Sequence, residues 1–268
     1  MTDVVTAAAG ALSVLVALRL LPRALRRPPH ARPNYRGHSV LATAGMVFVV
    51  PLTIGVVVAL VAGADSDSAP AMAGAGVVLG VLGYLDDMRG DRAAGGFAGH
   101  VRELVHGRIT TGLVKAVGGG VSGLLAAWVI GLRGVWVIVG GAVVALSANL
   151  TNLLDLRPGR ALKVWLPCAV ALLIAGFSGH HVLVCVAGGA VVFLLEELRE
   201  HVMLGDTGAG LAGGVIGVAA VTALDRPALV VLLAVLVALT LASEAVSFTR
   251  VIEAVPPLRW ADRFGRRD

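Results

Sequence analysis

Residues 70–90 read PAMAGAGVVLGVLGYLDDMRG, an apolar run that ends in two carboxylates. A helix needs about 20 apolar residues to cross a bilayer core, and the Gly and Ala residues of this run allow close helix contacts in lipid. The whole chain has the same character: 57% of its 268 residues are hydrophobic, 15% are charged, and the mean hydropathy is +0.87. Since a soluble domain has about 25% charged residues, the sequence predicts an integral membrane protein and excludes a disordered one.

Nine apolar stretches, separated by polar or Gly/Pro breaks, predict an all-α protein with about nine transmembrane helices. They form one membrane domain over 1–243, which a basic tail over 244–268 follows. Cys168 and Cys185 lie inside apolar runs and not at zinc-binding spacing, so we expect buried packing residues and no structural metal site from them. The predicted spans are 4–21, 39–63, 70–85, 109–130, 134–151, 162–177, 181–196, 208–223 and 227–243.

The basic residues predict the orientation, because cytoplasmic loops carry the excess of Lys and Arg. With the N-terminus outside, 20 of the 22 basic residues fall inside, and only Arg133 and Arg226 fall outside. This asymmetry accounts for the net charge of +5 without a nucleic-acid partner. The outer connections are short and would include His180 and His181, so we expect the chemistry, and the C-terminal tail, at the cytoplasmic face.

Three groups of acidic residues lie at the ends of predicted spans, all on the cytoplasmic side. Asp86 and Asp87 end the third span, Asp155 follows the fifth, and Asp206 precedes the eighth. Carboxylates are costly near hydrocarbon, which makes these residues functional candidates. On a continuing helix, Asp86 and Asp87 point about 100° apart, so different neighbours are expected for the two. The alternative for this pair is a helix end whose acids meet the arginines that follow.

The turn Gly205-Asp206-Thr207-Gly208 leads directly into a predicted helix. Free backbone N–H groups at a helix start can face an anion, while the carboxylate of Asp206 can hold a cation. A diphosphate with Mg²⁺ fits both, because Mg²⁺ prefers oxygen ligands and commonly bridges carboxylates and phosphates. The alternative is a glycine-rich turn in which Asp206 caps the helix.

The segment after Asp87 is rich in glycine and reads GDRAAGGFAGH over 90–100. Its glycines would allow the backbone to approach a phosphate closely. For most of these residues we favour the alternative, a surface loop in which Thr110 or Thr111 caps the next helix. His100 and His106 are then solvated, since no acid or nucleophile is placed with them by spacing.

In their order along the chain, these motifs resemble the polyprenyl-phosphate N-acetylhexosamine-1-phosphate transferases, a family that includes phospho-MurNAc-pentapeptide translocase and polyprenyl-phosphate GlcNAc-1-phosphate transferase. The resemblance covers most of the chain, and the order of its motifs with their common sidedness is more specific than any one motif. The motifs are Asn34-Tyr-Arg-Gly37 with Gly45, Leu85-Asp-Asp87, Lys115, Asn149 to Asp155, and Leu204-Gly-Asp-Thr-Gly208.

The resemblance implies Mg²⁺-dependent transfer of a sugar-1-phosphate from a nucleotide sugar, with UDP as the expected nucleotide, to a membrane polyprenyl phosphate such as undecaprenyl phosphate. The expected location is the cytoplasmic face of the cell membrane, and a homodimer is compatible with the sequence. In such a reaction the protein mainly positions two anions and offsets their charge.

By the same resemblance, Asp206 would hold Mg²⁺ and Lys115 would offset phosphate charge. Asp86 and Asp87 would position or deprotonate the lipid phosphate, which requires both to lie near Asp206 at one face. The residues expected to bind substrate are Asn34, Arg36, Asn149, Asn152, Asp155, Gly205 and Thr207.

Two departures from the family pattern define the alternative functions. Pro158 stands where the family commonly has a second acid, and no histidine follows His201, where the family usually has a His-rich segment. Arg250 or Arg259 would supply the missing cation, although a tail anchored at anionic lipid explains them equally well. The main alternative is therefore an inactive homologue that acts as a membrane scaffold in cell-envelope synthesis. A transporter is disfavoured, because neither mid-membrane charges nor internal repeats are evident.

Overall fold

The computed structural model describes residues 1–21, 25, 27–63, 67–89 and 96–266, without the side chains of 96–98, 100 and 101. Helices dominate this part of the chain, and a single short β-hairpin and one 3-10 helix, Ala44–Phe48, accompany them. The α-helices are α1 Thr2–Leu20, α2 Val49–Val61, α3 Ser68–Arg89, α4 Gly96–Val105, α5 Thr111–Val129, α6 Val135–Leu154, α7 Arg160–Ala175, α8 His181–Leu198, α9 Gly205–Ala223, α10 Arg226–Ala245, α11 Phe248–Ala254 and α12 Pro256–Arg263.

Within the described residues, eight helical segments are long and apolar enough to cross a membrane, so the chain is a multi-pass membrane protein. The predicted span 162–177 corresponds to α7, which has only 16 residues and is not among the eight. Gly176 ends this helix with a φ of +73°, a backbone conformation that glycine adopts without a steric penalty. The eight segments are Thr2–Leu20, Ala44–Val61, Ser68–Arg89, Thr111–Val129, Val135–Leu154, His181–Leu198, Gly205–Ala223 and Arg226–Ala245.

Helix α9 forms the centre of the bundle, and its residues from Thr207 to Val221 are buried. Antiparallel α3 lies against it so closely that a Cβ atom on Gly83 would collide with the backbone carbonyl of Asp206. Helix α6 is also antiparallel to α9, and a Cβ on Gly217 would lie 2.7 Å from the Cα of Val144. The ends of α3 and α6 therefore meet the start of α9 at one end of the bundle.

A short hairpin covers this end of the bundle, although the sequence analysis predicted only helices and began a span at residue 39. Strands β1 Ala31–Pro33 and β2 Ser39–Leu41 pair antiparallel, with Arg32 opposite Val40. The hairpin is joined to the segment before α9, because the N–H of Met203 donates to the carbonyl of Leu41 at 2.9 Å.

The C-terminal tail is folded and lies against the connection between α6 and α7. Arg160 donates from Nε and Nη2 to both carboxylate oxygens of Asp262 at 2.8 and 3.0 Å, and both side chains are buried. Lys163 Nζ donates to backbone carbonyls at the end of α12, including that of Phe264 at 2.6 Å. The tail is thus fixed to the membrane domain by buried, charge-assisted hydrogen bonds.

Four side chains that the sequence analysis discussed lie apart from this contact. Arg250 and Arg259 are exposed on the tail. Cys185 is buried as predicted, but the prediction of a buried Cys168 is wrong, because Cys168 is exposed on α7. An apolar side chain on the outside of a membrane helix can face lipid and needs no protein neighbour to cover it.

Candidate functional site

Asp87, the last acid of the α3 motif, binds the first turn of α9. Its Oδ1 accepts the N–H of Asp206 at 3.2 Å, and its Oδ2 accepts the N–H and the hydroxyl of Thr207 at 2.9 and 2.6 Å. The side chain is only 7% exposed, and Arg32 donates to the backbone carbonyl of Asp87. Asp87 therefore joins the end of α3 to the start of α9 in the way that a helix-capping carboxylate does.

Two further carboxyl groups approach the preceding N–H groups of the same helix start. Glu197 Oε1 accepts the N–H of Leu204 at 3.0 Å, and Asp155 lies close to the N–H of Gly205. The prediction that the first N–H groups of this helix are free to face an anion is therefore wrong. Glu197 and Asp87 accept the N–H groups of Leu204, Asp206 and Thr207, and Asp155 lies close to that of Gly205, so Thr207 N–H in particular is not available for the predicted substrate contact.

The predicted alternative in which Asp206 caps its own helix is also wrong. Leu204 is the N-cap residue of α9, and its side chain makes no capping hydrogen bond. Asp206 lies in the first helical turn, where its side chain is turned away from the backbone of α9 and toward α5 and α6. Its carboxylate is consequently left for other partners.

Asp206, Lys115, Asp86 and Asn152 form one group of side chains, which we name the Lys115 cluster. Lys115 Nζ donates to Asp206 Oδ2 at 2.7 Å and lies 3.9 Å from Asp86 Oδ2. With the Asn152 amide oriented to suit its neighbours, its nitrogen donates to Asp206 Oδ1 at 2.7 Å and its oxygen accepts from Lys115 at 3.2 Å. Two carboxylates thus share one ammonium group.

Four helices contribute one residue each to the Lys115 cluster. Asp86 stands near the end of α3, Asn152 near the end of α6, Asp206 in the first turn of α9 and Lys115 in the second turn of α5. The start of α5 is fixed by Thr110, whose hydroxyl accepts the N–H of Leu113 at 3.2 Å, which confirms the predicted cap. The cluster therefore depends on the antiparallel packing of the helices and not on any single loop.

The Lys115 cluster is partly open to solvent. The side chains of Lys115, Asp86 and Asp206 are 19%, 21% and 28% exposed, whereas Asp87 beside them is closed. Two carboxylates and the amide oxygen of Asn152 are hard oxygen ligands of the kind that Mg²⁺ prefers. Both carboxylates already lie near a cationic group, so this cluster is where a divalent cation could be held.

Asp155 lies beside the Lys115 cluster but does not belong to it. Burial raises the pKa of Asp155 well above its usual value, and the nearby charges of Glu197 and Asp206 raise it further. The N–H of Gly205 acts in the opposite direction by stabilising the carboxylate. Asp155 therefore takes up a proton at a higher pH than a free aspartate does.

Glu197 is a buried acidic residue that the sequence analysis missed. It is 1% exposed, and its carboxylate lies near the backbone N–H of Gly159 as well as that of Leu204. The pair Glu196-Glu197 ends a predicted span in the same way as Asp86-Asp87. This shared position at the end of a span could have predicted that Glu197 lies near the start of α9.

The hydrogen bonds of Asn34, Arg36 and Asn149 go to residues outside the Lys115 cluster. Asn34 Nδ2 donates to Glu200 Oε2 at 2.8 Å, and Arg36 Nε lies 3.2 Å from Glu200 Oε1. Asn149 Nδ2 donates to the hydroxyl of Thr240 on α10 at 3.4 Å. Of the seven residues expected to bind substrate, only Asn152 is a member of the cluster.

Parts of the predicted glycine-rich loop lie outside the described residues, namely 90–95 and the side chains of 96–98 and of His100. His106 is exposed as predicted, with Nδ1 on the carbonyl of Arg102 at 2.7 Å. Four arginines that contributed to the predicted orientation also lie outside the described residues: Arg23, Arg26, Arg92 and Arg267.

Comparisons of the sequence with family models and with curated proteins give no relative from which a function is transferable. No family model matches the chain, and no curated protein matches it. The chemistry of the Lys115 cluster and its place in the membrane domain are therefore the basis for a functional assignment.

Proposed function

We propose that the protein transfers a sugar-1-phosphate from a nucleotide sugar, with UDP as the nucleotide, to a polyprenyl phosphate and releases the nucleoside monophosphate. The reaction takes place at the cytoplasmic face of the cell membrane. The observation that supports this proposal is the Lys115 cluster, in which carboxylates of α3 and α9 converge on one cation at the end of a membrane bundle. At such a place a soluble diphosphate and a membrane lipid phosphate can meet.

Lys115 and Asp86 carry out the charge and proton steps in this proposal. Phosphoryl transfer needs positioned anions and offset charge more than a strong protein nucleophile. The long side chain of Lys115 can exchange its bond to Asp206 for a phosphate oxygen, and this leaves Asp206 free for a cation. Asp86 lies 3.9 Å from Lys115 and accepts the proton of the lipid phosphate when that group arrives protonated.

Asp206 and the amide oxygen of Asn152 would hold the divalent cation. Bound Mg²⁺ supplies charge neutralisation for the diphosphate and for the leaving nucleoside phosphate. Asp87 positions Asp206 through its hydrogen bonds to the backbone at residues 206 and 207. The proposal thus gives the two adjacent acids of α3 different roles.

The experiment is an assay of purified Asp206→Asn and wild-type protein with Mg²⁺, undecaprenyl phosphate and a panel of UDP-sugars. Mass spectrometry should detect a lipid-linked sugar phosphate with the wild type. Because Asp206 contacts both Lys115 and Asn152, we expect Asp206→Asn to lower turnover by about 100-fold or more. Its unfolding temperature is measured in parallel to show that the loss is not due to unfolding.

Asp225→Asn is the matched control for this assay. Asp225 caps α10 at the other end of the bundle by accepting the N–H of Ala228 at 2.9 Å, and asparagine caps helices equally well. This variant should keep wild-type turnover. No product with any UDP-sugar, in an assay where a known transferase is active, would contradict the proposal, as would full activity of Asp206→Asn.

A membrane scaffold is the second candidate, and one observation favours it. Lys115, Asp206 and Asn152 satisfy one another, so the cluster is stable without a substrate. A scaffold predicts no lipid-linked product and predicts that Asp206→Asn keeps the binding partners of the wild type. Product formation by the wild type excludes this alternative as the sole function.

A further inference from the structure

A second cluster of ionisable side chains lies at the opposite end of the bundle. It consists of Asp3 in the first turn of α1 and of His180 and His181 at the start of α8, and we name it the His-Asp cluster. The Nε2 atoms of His180 and His181 lie 3.1 and 4.0 Å from Asp3 Oδ1. One ligand atom from each residue lies within 4.8 Å of the other two.

The packing of α1 against α8 brings these residues together from distant parts of the chain. The two helices run in the same direction, since Asp3 lies beside His180 and Gly10 lies against Cys185. Helix α8 ends at Glu197 beside the start of α9, so its own start lies at the other end of the bundle. The His-Asp cluster is therefore separate from the Lys115 cluster and is not used by the proposed transferase reaction.

The hydrogen bond made by Nδ1 of His180 determines whether Nε2 of the neutral ring carries a hydrogen or a lone pair. Nδ1 lies 3.1 Å from the carbonyl oxygen of Phe177, which can only accept, so Nδ1 carries a hydrogen. In the neutral ring, Nε2 then has a lone pair, and this lone pair faces the carboxylate of Asp3 at 3.1 Å. Two acceptors at this distance require a proton or a metal ion between them. A histidine whose Nδ1–H is bound to a backbone carbonyl is the usual state of a metal ligand.

His181 supplies the second imidazole of the His-Asp cluster. The residue is 9% exposed, and its Nδ1 is buried and makes no hydrogen bond within the described part of the chain. Its ring stacks on that of His180 with the centroids 4.3 Å apart. Protonation of both rings would place two like charges in contact, which is unfavourable. A single divalent ion bound to the Nε2 atoms of two neutral rings and to the carboxylate avoids that repulsion.

We propose that Asp3, His180 and His181 bind one divalent transition-metal ion, with zinc as the best match, and that water completes the coordination. Two imidazole nitrogens and one carboxylate oxygen are a common zinc ligand set. The 3.1 and 4.0 Å separations lie on either side of the about 3.4 Å expected between two ligands of a tetrahedral zinc ion. Asp3 is 58% exposed, so the ion reaches the cluster from the aqueous phase.

The test is a zinc titration of the purified full-length chain without a polyhistidine tag, after removal of metal with a chelator. We expect one zinc ion per chain with micromolar or tighter affinity, and a rise in the unfolding temperature when zinc is added. His180→Ala and Asp3→Asn should each weaken zinc binding by about 10-fold or more, since even loss of a supporting residue has that effect at metal sites.

His106→Ala is the control, because His106 is an exposed histidine on a different helix end. It should bind zinc like the wild type. Circular dichroism of each variant without metal shows whether it is folded, and if buried His181→Ala fails to fold, His180→Ala and Asp3→Asn decide the outcome. The proposal is overturned if the wild type binds no zinc in the micromolar range, or if these two folded variants bind it as the wild type does.

Discussion

At the scale of single residues, the two adjacent acids at the end of α3 have different environments. Asp86 faces Lys115 and is partly open to solvent, whereas Asp87 is closed and bonded to the start of α9. Consecutive residues of a helix point about 100° apart, so one acid can face a site while its neighbour faces another helix. A substitution of Asp87 should therefore affect mainly the stability of the protein, and a substitution of Asp86 mainly its activity.

We expect Asp87→Asn to destabilise the protein by about 1 to 3 kcal/mol, because buried donors at the start of α9 lose an acceptor. Asp87 accepts three hydrogen bonds on its two oxygens, and the NH₂ group of asparagine would face one set of these donors. Unfolding followed by circular dichroism in detergent measures the effect.

Asp86→Asn is the matched substitution for stability. The 3.9 Å pair between Asp86 and Lys115 is partly exposed, and such pairs contribute only about 0 to 1 kcal/mol. Equal unfolding temperatures for the Asp86→Asn and Asp87→Asn variants would show that Asp87 does not have the capping role assigned to it.

The sequence predicted part of this site and missed part of it for physical reasons. Acids at span ends identified Asp86 and Asp206, and the alternating directions of the spans placed them at the same end of the bundle. The bonding of Asp87 to the N–H of Thr207 was not predictable, because no local pattern shows which carboxylate from a distant segment reaches a helix start. Glu197 was missed although its place at a span end, like that of Asp86, predicts a position near the start of α9.

At the scale of secondary-structure elements, glycines determine how closely α3 and α9 approach. A Cβ on Gly83 would collide with the carbonyl of Asp206, and one on Gly210 would collide with the carbonyl of Leu79. Small residues allow such contacts between membrane helices, where backbone atoms of the two helices touch. The close approach of α3 to α9 also places Asp86 near Asp206. The geometry of the Lys115 cluster therefore depends on the packing of these two helices.

We expect Gly83→Ala to destabilise the protein by about 1 to 3 kcal/mol, because overpacking moves α3 away from α9. Gly74→Ala on the same helix is the control, since a Cβ at Gly74 meets no atom within 4 Å. The control should be neutral or stabilising by up to about 1 kcal/mol, because alanine is the better helix former. Comparison of the two unfolding temperatures in detergent measures the difference. A loss of stability in the Gly74→Ala variant as large as in Gly83→Ala would contradict the packing argument.

The boundaries of most elements were predictable to within a few residues, and the exceptions depend on tertiary contacts. The spans at 109–130 and 227–243 correspond to α5 Thr111–Val129 and α10 Arg226–Ala245. The folded tail was not predicted, because it depends on the pairing of Arg160 with Asp262 across more than a hundred residues. Hydropathy identifies helices that lipid surrounds. It does not identify a segment such as the tail, whose position depends on a buried ion pair.

At the scale of the whole molecule, the bundle has two chemically different ends. One end has the Lys115 cluster and the folded tail, and the other has the His-Asp cluster and the short connections between helices. The transferase proposal needs the first end in the cytoplasm, where nucleotide sugars are made. The sidedness of the bundle is therefore a property on which the function depends.

Cysteines placed at the two ends of one membrane hairpin test this sidedness. Ile109 precedes α5 and Val135 begins α6; they are 74% and 62% exposed, and neither substitution changes the charge of the chain. In a background with Cys168 and Cys185 replaced by alanine, a membrane-impermeant maleimide should label Val135→Cys in intact cells. Ile109→Cys should be labelled only after permeabilisation, because the excess of basic residues keeps that end inside. The cysteine-free background must show no labelling. The reverse labelling pattern would place the Lys115 cluster outside the cell, away from cytoplasmic nucleotide sugars, and the transferase proposal would be lost with it.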